Sequence, residues 1–113
     1  MANKLFFVVA TGDKDVLLET ALFYPLTVAK EKWMEEVKVI LFGPSQKVAA
    51  EDEHVQKRLK RLQQEGGIEV LSCKYCSEKW GISDKMKELG FSDVYVSPII
   101  AKWIKEGWAS LSF

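Results

Sequence analysis

This chain lacks an excess of charge of either sign: sixteen Lys and Arg face sixteen Asp and Glu across 113 residues, for a net charge of zero. Without surplus positive charge there is none of the long-range attraction that general nucleic-acid binding relies on, so a DNA- or RNA-binding role is disfavoured. Histidine occurs once, at His54, and cysteine twice, at Cys73 and Cys76. A structural zinc site takes four ligands, more than these residues supply, and no metal is expected. No long hydrophobic run is present either. The longest apolar stretch, Val16 to Ala29, is interrupted by Glu19, Thr20, Pro25 and Thr27, which argues against a bilayer-spanning helix. The opening MANKLFFVVATG has one lysine and too short an apolar run for a signal peptide, and it reads as a buried strand. Neither GxxxxGK[ST] nor GxGxxG occurs, so a nucleotide enzyme is disfavoured and no cofactor is expected. The expectation is a cytoplasmic protein in which two cysteines three positions apart are reactive thiols rather than a structural bridge.

What is present is ample apolar material, 48% of the residues. At this length, residues 1–113 suit one domain that buries roughly two-thirds of the unfolded chain's surface without disulfide staples. Leu5 to Ala10 (LFFVVA) is an unbroken apolar run closed by Thr11-Gly12-Asp13, the pattern of a strand buried on both faces. Lys14 to Trp33 follows helical spacing, with Asp13 or Asp15 able to cap its start and Pro25 expected to kink it near the middle. Val37 to Phe42 is a second strand. After it Ser45 can cap a helix whose Val48, Val55, Leu59 and Leu62 form one apolar stripe, the run Lys57 to Arg61 being a solvated face. Gly66-Gly67 ends that helix. Ile68 to Ser72 is a third strand, Ser83 to Leu89 a short helix, and Asp93 to Ser97 a fourth strand. Ser97-Pro98 then opens a last helix, Ile99 to Glu106, and Trp108 to Phe113 can add a fifth strand. Such alternation predicts a three-layer α/β/α sandwich around a five-stranded, mostly parallel sheet.

In an open parallel sheet, ligands bind in the crevice at the carboxyl ends of the strands. Four loops are expected there: Thr11-Gly12-Asp13-Lys14, Phe42-Gly43-Pro44-Ser45, Cys73-Lys74-Tyr75-Cys76, and Ser97-Pro98. Helix N-termini following them can stabilise an anion, a thiolate included. Cys73, with Lys74 and Lys79 nearby, is the best-placed nucleophile, against the ordinary alternative of a small residue finishing a buried strand. Cys76 weighs similarly, as auxiliary thiol or as packing. As CxxC the pair suits a thiol-disulfide or peroxide-reducing site, although a thioredoxin-like motif should follow the first strand rather than the third. A non-catalytic oligomeric module that binds a small ligand is the remaining alternative. His54 reads as an exposed helix-surface histidine. Trp33, Trp80, Trp103 and Trp108 are each expected in the core, though such aromatic wealth also suits a subunit interface.

The strand-helix order, the Gly43-Pro44-Ser45 loop, the segment CKYCSEKWGIS and the terminal GWASLSF resemble the DsrE/DsrF-like sulfur-relay family. That family includes the YchN-like proteins and the sulfur-carrier subunits of the Tus complex. The most specific feature is a cysteine at the end of the third strand with a glycine eight residues later, here Cys73 and Gly81. By that spacing Cys73 falls on the family's sulfur-accepting position, and Cys76 on one where many relatives carry a small residue. The resemblance implies an α/β/α sandwich assembled as trimers or hexamers. It also implies transfer of sulfane sulfur as a cysteine persulfide between a donor and an acceptor protein, with no cofactor.

Overall fold

Apolar runs dense in Val, Ile, Leu and Phe become the sheet. In the computed structural model, which describes residues 3–113, β1 is Lys4–Val9, β2 is Glu36–Leu41 and β3 is Glu69–Cys73. The two edge strands are short: β4 is Ser92–Val94 and β5 is Ala109–Ser112. Met1 and Ala2, at the start of the expected domain, lie outside the described residues. The order is β4-β3-β2-β1-β5 and all four pairings are parallel, so the expected "mostly parallel" sheet is parallel throughout.

The helices are more broken than their apolar spacing predicts. The stretch from Lys14 is a short turn, α1 (Lys14–Val16), then a π-helical turn at Leu17–Ala21, then α2 (Tyr24–Lys30). The break comes just ahead of Pro25, which sits in the first turn of α2, where its missing N–H costs nothing. Asp13 supplies the predicted cap, its Oδ1 accepting from Val16 N at 3.1 Å. The second long helix also divides, into α3 (Pro44–Glu51) and α4 (Glu53–Gln64). Asp52 turns extended between them (φ −100°, ψ 118°) and caps α4 by accepting from Val55 N at 3.0 Å. Lys14 Nζ reaches the other Asp52 oxygen at 2.9 Å, a tertiary contact that favours the break. The cap expected of Ser45 does not form: Gly43 takes that position, and the Ser45 hydroxyl donates to Val9 O at 2.6 Å.

After β3 come α5 (Lys74–Lys79) and α6 (Ser83–Glu88), and after β4 comes α7 (Val96–Lys105). Alternation along the strands splits the core in two. Phe7, Val9, Val39, Leu41 and Val70 face α2, α4 and α6. Phe6, Ile40, Leu71 and Cys73 face the opposite way, with Cys76 of α5 and Val96 of α7. The connection from β4 to β5 runs back across the sheet against the direction of the earlier steps. A right-handed crossover then places α7 on the opposite face, as the two clusters show. Only α7 and α5 cover that second face, so the indoles packed on it stay partly exposed. None of the four tryptophans is fully buried: Trp80, Trp103 and Trp108 are half-buried and Trp33 is exposed. The expectation of four core tryptophans fails: Trp80, Trp103 and Trp108 lie on a face whose helical layer is too thin to enclose them, and Trp33 sits in the exposed connection between α2 and β2.

Candidate functional site

Chain order at the third strand places two thiols within a single helical turn. Cys73 is the last residue of β3 and the N-cap of α5, and Cys76 is the third residue of that helix. An N-cap and the third helical residue lie on the same side of the first turn. Both cysteines are free, and they are close enough for the Cys76 thiol to share a hydrogen bond with Cys73. Burial pushes the Cys76 thiol up to about 11, Cys73 adds to the rise through that hydrogen bond and its charge, and Lys79 opposes it. Cys76 therefore keeps its proton at neutral pH.

The raised value has a consequence for stability. A thiol that titrates higher in the fold than unfolded stabilises the fold below its ordinary value, and that contribution disappears as pH rises through the folded value. Stability should thus decline between about pH 9 and about pH 11, by on the order of 2 kcal/mol. Urea unfolding across that range checks it: the decline should be visibly shallower in Cys76→Ala, and equal slopes would count against the buried, protonated thiol.

Access is the other feature of the pair. Cys73 is 3% and Cys76 9% exposed, packed among Phe6, Ile40, Leu71 and Val96, with Trp80 and Trp103 partly covering the cluster. Around this plug the surface is aromatic and charged. Tyr75 and Tyr95 are exposed, Lys74 Nζ lies 5.3 Å from the Tyr95 ring, and Lys47 Nζ lies 5.1 Å from the Trp80 ring. The Tyr95 hydroxyl donates to Glu78 at 3.1 Å, and that carboxylate holds the phenol above its ordinary value.

Beneath the pair, on the opposite face of the sheet, lies a buried polar network that sequence reasoning missed. Gln46 is fully buried; its Oε1 accepts from Gly43 N at 2.8 Å, and its Nε2 donates to Cys73 O at 2.9 Å and to Ser77 Oγ at 2.8 Å. Ser77 Oγ in turn donates to Asp93 Oδ1 at 2.7 Å, which also accepts from Ser72 Oγ at 2.6 Å. Asp93 Oδ2 is buried and finds no partner among the described residues. The one legible signal was the glutamine three residues after Gly43, the spacing of a capping box. Its burial and its reach to Cys73 follow only from the placing of α3 beside β3.

Of the four segments expected at the carboxyl edge, those at Gly12 and Gly43-Pro44 come into contact, while Cys73 to Cys76 and Ser97-Pro98 belong to the first turns of α5 and α7. Gly12 packs on Pro44, where a Cβ would lie 3.2 Å from the proline ring. Asp13 is occupied as a helix cap. Gly43 is buried at φ 109°, a conformation glycine adopts without strain, and Ser45 is buried with its hydroxyl already used. Ser97 lies inside the first turn of α7, since Tyr95 is its N-cap, and it is exposed rather than turned into the crevice. The predicted loop there is absent because the helix begins three residues earlier. His54 is exposed, as expected, and takes part in a surface cluster in which Lys14 Nζ lies 3.2 Å from its Nδ1. Among the described residues, no group of three or more His, Cys, Asp or Glu side chains is gathered as for a metal ion. No helix among them is long and apolar enough to cross a membrane.

Comparison with known proteins agrees with this architecture. The family model described as the DsrE/DsrF-like family matches residues 3–113. A conserved protein of unknown function from Bacteroides thetaiotaomicron is similar at 28% identity, with 98% of this chain and 95% of that one covered and a TM-score of 0.91. A protein of unknown function from Methanobacterium thermoautotrophicum shares the fold at 18% identity, with 97% and 98% covered and a TM-score of 0.77. Among curated proteins, none matches.

Proposed function

Because this chain belongs to the DsrE/DsrF-like family, we propose that it is a sulfur carrier, one family domain that accepts sulfane sulfur as a persulfide on Cys73. The observation that carries the reading is the thiol pair itself: Cys73 at the carboxyl end of β3 and N-cap of α5, with the buried Cys76 in the first turn of that helix. In the transfer the Cys73 thiolate attacks the outer sulfur of a donor persulfide. One S–S bond forms as another breaks, and the donor cysteine leaves as a thiolate, so nothing is oxidised or reduced overall. An acceptor thiolate then takes the same sulfur from Cys73 by the same exchange. The Cys76 S–H stabilises the anion on Cys73 before loading and the persulfide anion after it, and no cofactor takes part. Gly12, Asp13, Gly43, Pro44, Ser45 and Ser97 frame the carboxyl edge of the sheet without supplying chemistry of their own. A reducing compartment such as the cytoplasm suits two free thiols.

The test is to incubate the reduced protein with a small-molecule persulfide donor and measure its intact mass. A gain of about 32 Da at Cys73 is expected for a carrier. A loss of about 2 Da would instead favour the thiol-disulfide reading, and no change would leave a binding module.

The carrier works as a homo-oligomer, as the family resemblance implies. Phe23, Tyr24 and Trp33, along and just beyond α2, are 54%, 39% and 59% exposed, an apolar surface suited to a second copy. Sedimentation equilibrium should give a trimer or hexamer, and a concentration-independent monomer would refute the assembly.

A further inference from the structure

Sulfur transfer to Cys73 requires an approach that the closed structure denies, because its side chain is 3% exposed, packed among Phe6, Ile40, Leu71, Cys76 of α5 and Val96 of α7. Of the two helices on that face, α5 is the short one and carries Cys76 against Cys73, so lifting it opens an approach, and what seats it bears on how often Cys73 is reachable. The helix is six residues long and only two of them are buried, Cys76 and Ser77. It is bounded by Cys73 at one end and, just past the other, by Gly81 at φ 67°, where the chain reverses. Its exposed side chains offer little hold, since the Tyr95–Glu78 contact is a surface hydrogen bond.

Ser77 is different. Its hydroxyl is fully buried and doubly used, accepting from Gln46 Nε2 at 2.8 Å and donating to Asp93 Oδ1 at 2.7 Å. It thereby ties α5 to α3 on one side and to β4 on the other. Gln46 grips the start of the same helix through Cys73 O at 2.9 Å, so both ends of the first turn are pinned by one amide. Ser72 and Cys73 are neighbours on a strand and point to opposite faces, which places this network behind the thiol rather than in contact with it. The network cannot act on the sulfur chemically; it acts through the position of the helix.

We infer that Ser77, held between Gln46 and Asp93, is the positioning residue that keeps α5 seated over Cys73 and so sets how often this thiol is exposed. The inference takes its functional meaning from the reading of Cys73 as the sulfur acceptor. Buried hydrogen bonds of this kind, one of them to a carboxylate, shift a local opening equilibrium strongly when removed.

The test uses the full chain, reduced, with iodoacetamide as the probe and peptide mass spectrometry to follow alkylation of Cys73 across low urea concentrations. Ser77→Ala and Gln46→Leu should each raise the alkylation rate about 10- to 100-fold. The dependence on urea should be much shallower than that of global unfolding, because only α5 opens. Gln56→Leu is the control. It removes a similar amide-to-carbonyl bond, Gln56 Nε2 to Ala49 O at 2.9 Å, away from α5, and should leave alkylation within about twofold of the parent. Alkylation of Ser77→Ala at the parent rate, or rising only in step with global unfolding, would overturn the inference.

Should the variants fail to fold, amide hydrogen exchange on the unaltered protein decides the matter. The amides of Glu78, Lys79 and Trp80 should open at lower cost than those of Val70 and Leu71, and equal protection would refute a separately opening helix. Faster alkylation in Ser77→Ala, together with no persulfide gain in the parent protein, would retain the positioning role and remove the sulfur-carrier reading.

Discussion

Cys73→Ser is expected to abolish persulfide loading, whereas Cys76→Ser should load to within about twofold of the parent protein. The two thiols are unequal by position. Cys76 is held protonated by burial and by its neighbour, pushed up to about 11, so at neutral pH it is a poor nucleophile and a good hydrogen-bond donor. A serine at that position can still donate to the Cys73 sulfur, which explains why loading should survive. Alanine cannot. Cys76→Ala should load about tenfold more slowly, the effect expected when a charged sulfur loses one donor in a buried site. Intact-mass measurement over time with a persulfide donor reads all three variants. Loading of Cys73→Ser with none in Cys76→Ser would mean that the spacing to Gly81 had selected the wrong cysteine. Equal loading of both would mean surface reactivity rather than a site.

Phe6→Ala should cost about 3–5 kcal/mol, lowering the thermal midpoint by roughly 12–20 °C. Phe6 is 1% exposed at the centre of the thiol-bearing face, its ring 5.3 Å from that of Trp103 and 6.3 Å from that of Trp108. Those two indoles stack on each other at 4.7 Å and depend on Phe6 for their floor. This face has little else to absorb the loss, because α7 and α5 alone cover it, and the ring-sized space cannot be closed from the sheet side. Phe6→Leu retains most of the volume and should cost much less. Calorimetry of both variants checks the contrast, and a loss below about 1 kcal/mol for Phe6→Ala would show that the face can collapse around the gap.

Several features of this architecture were legible because they rest on local chemistry. Leu5 to Ala10 is unbroken in its apolar residues and Val37 to Phe42 is broken only by Lys38, the pattern of buried strands, and Asp13 caps because its side chain accepts from the first turn of the helix that follows. Gly66 was readable as an ending, and its surroundings explain the choice: a Cβ there would lie 2.8 Å from Leu62 O. Cys73 at the close of the third strand was likewise visible from the run that precedes it. The breaks were not. Val48, Val55, Leu59 and Leu62 keep helical spacing straight through Asp52, and the interruption is favoured by Lys14 at the start of α1.

Local pattern thus determined where the chain forms strands, that its two thiols share one turn, and which family it resembles. Each of these depends on residues adjacent in sequence. Tertiary structure alone decided that Gln46, Ser72, Ser77 and Asp93 meet beneath that turn, that Ser45 is spent on Val9, and that Cys73 is closed off. A glutamine or serine carries no mark in the sequence of whether it will be buried. Its burial is tolerable only when hydrogen-bond partners arrive from other strands and helices, and those partners are brought together by the order of the sheet.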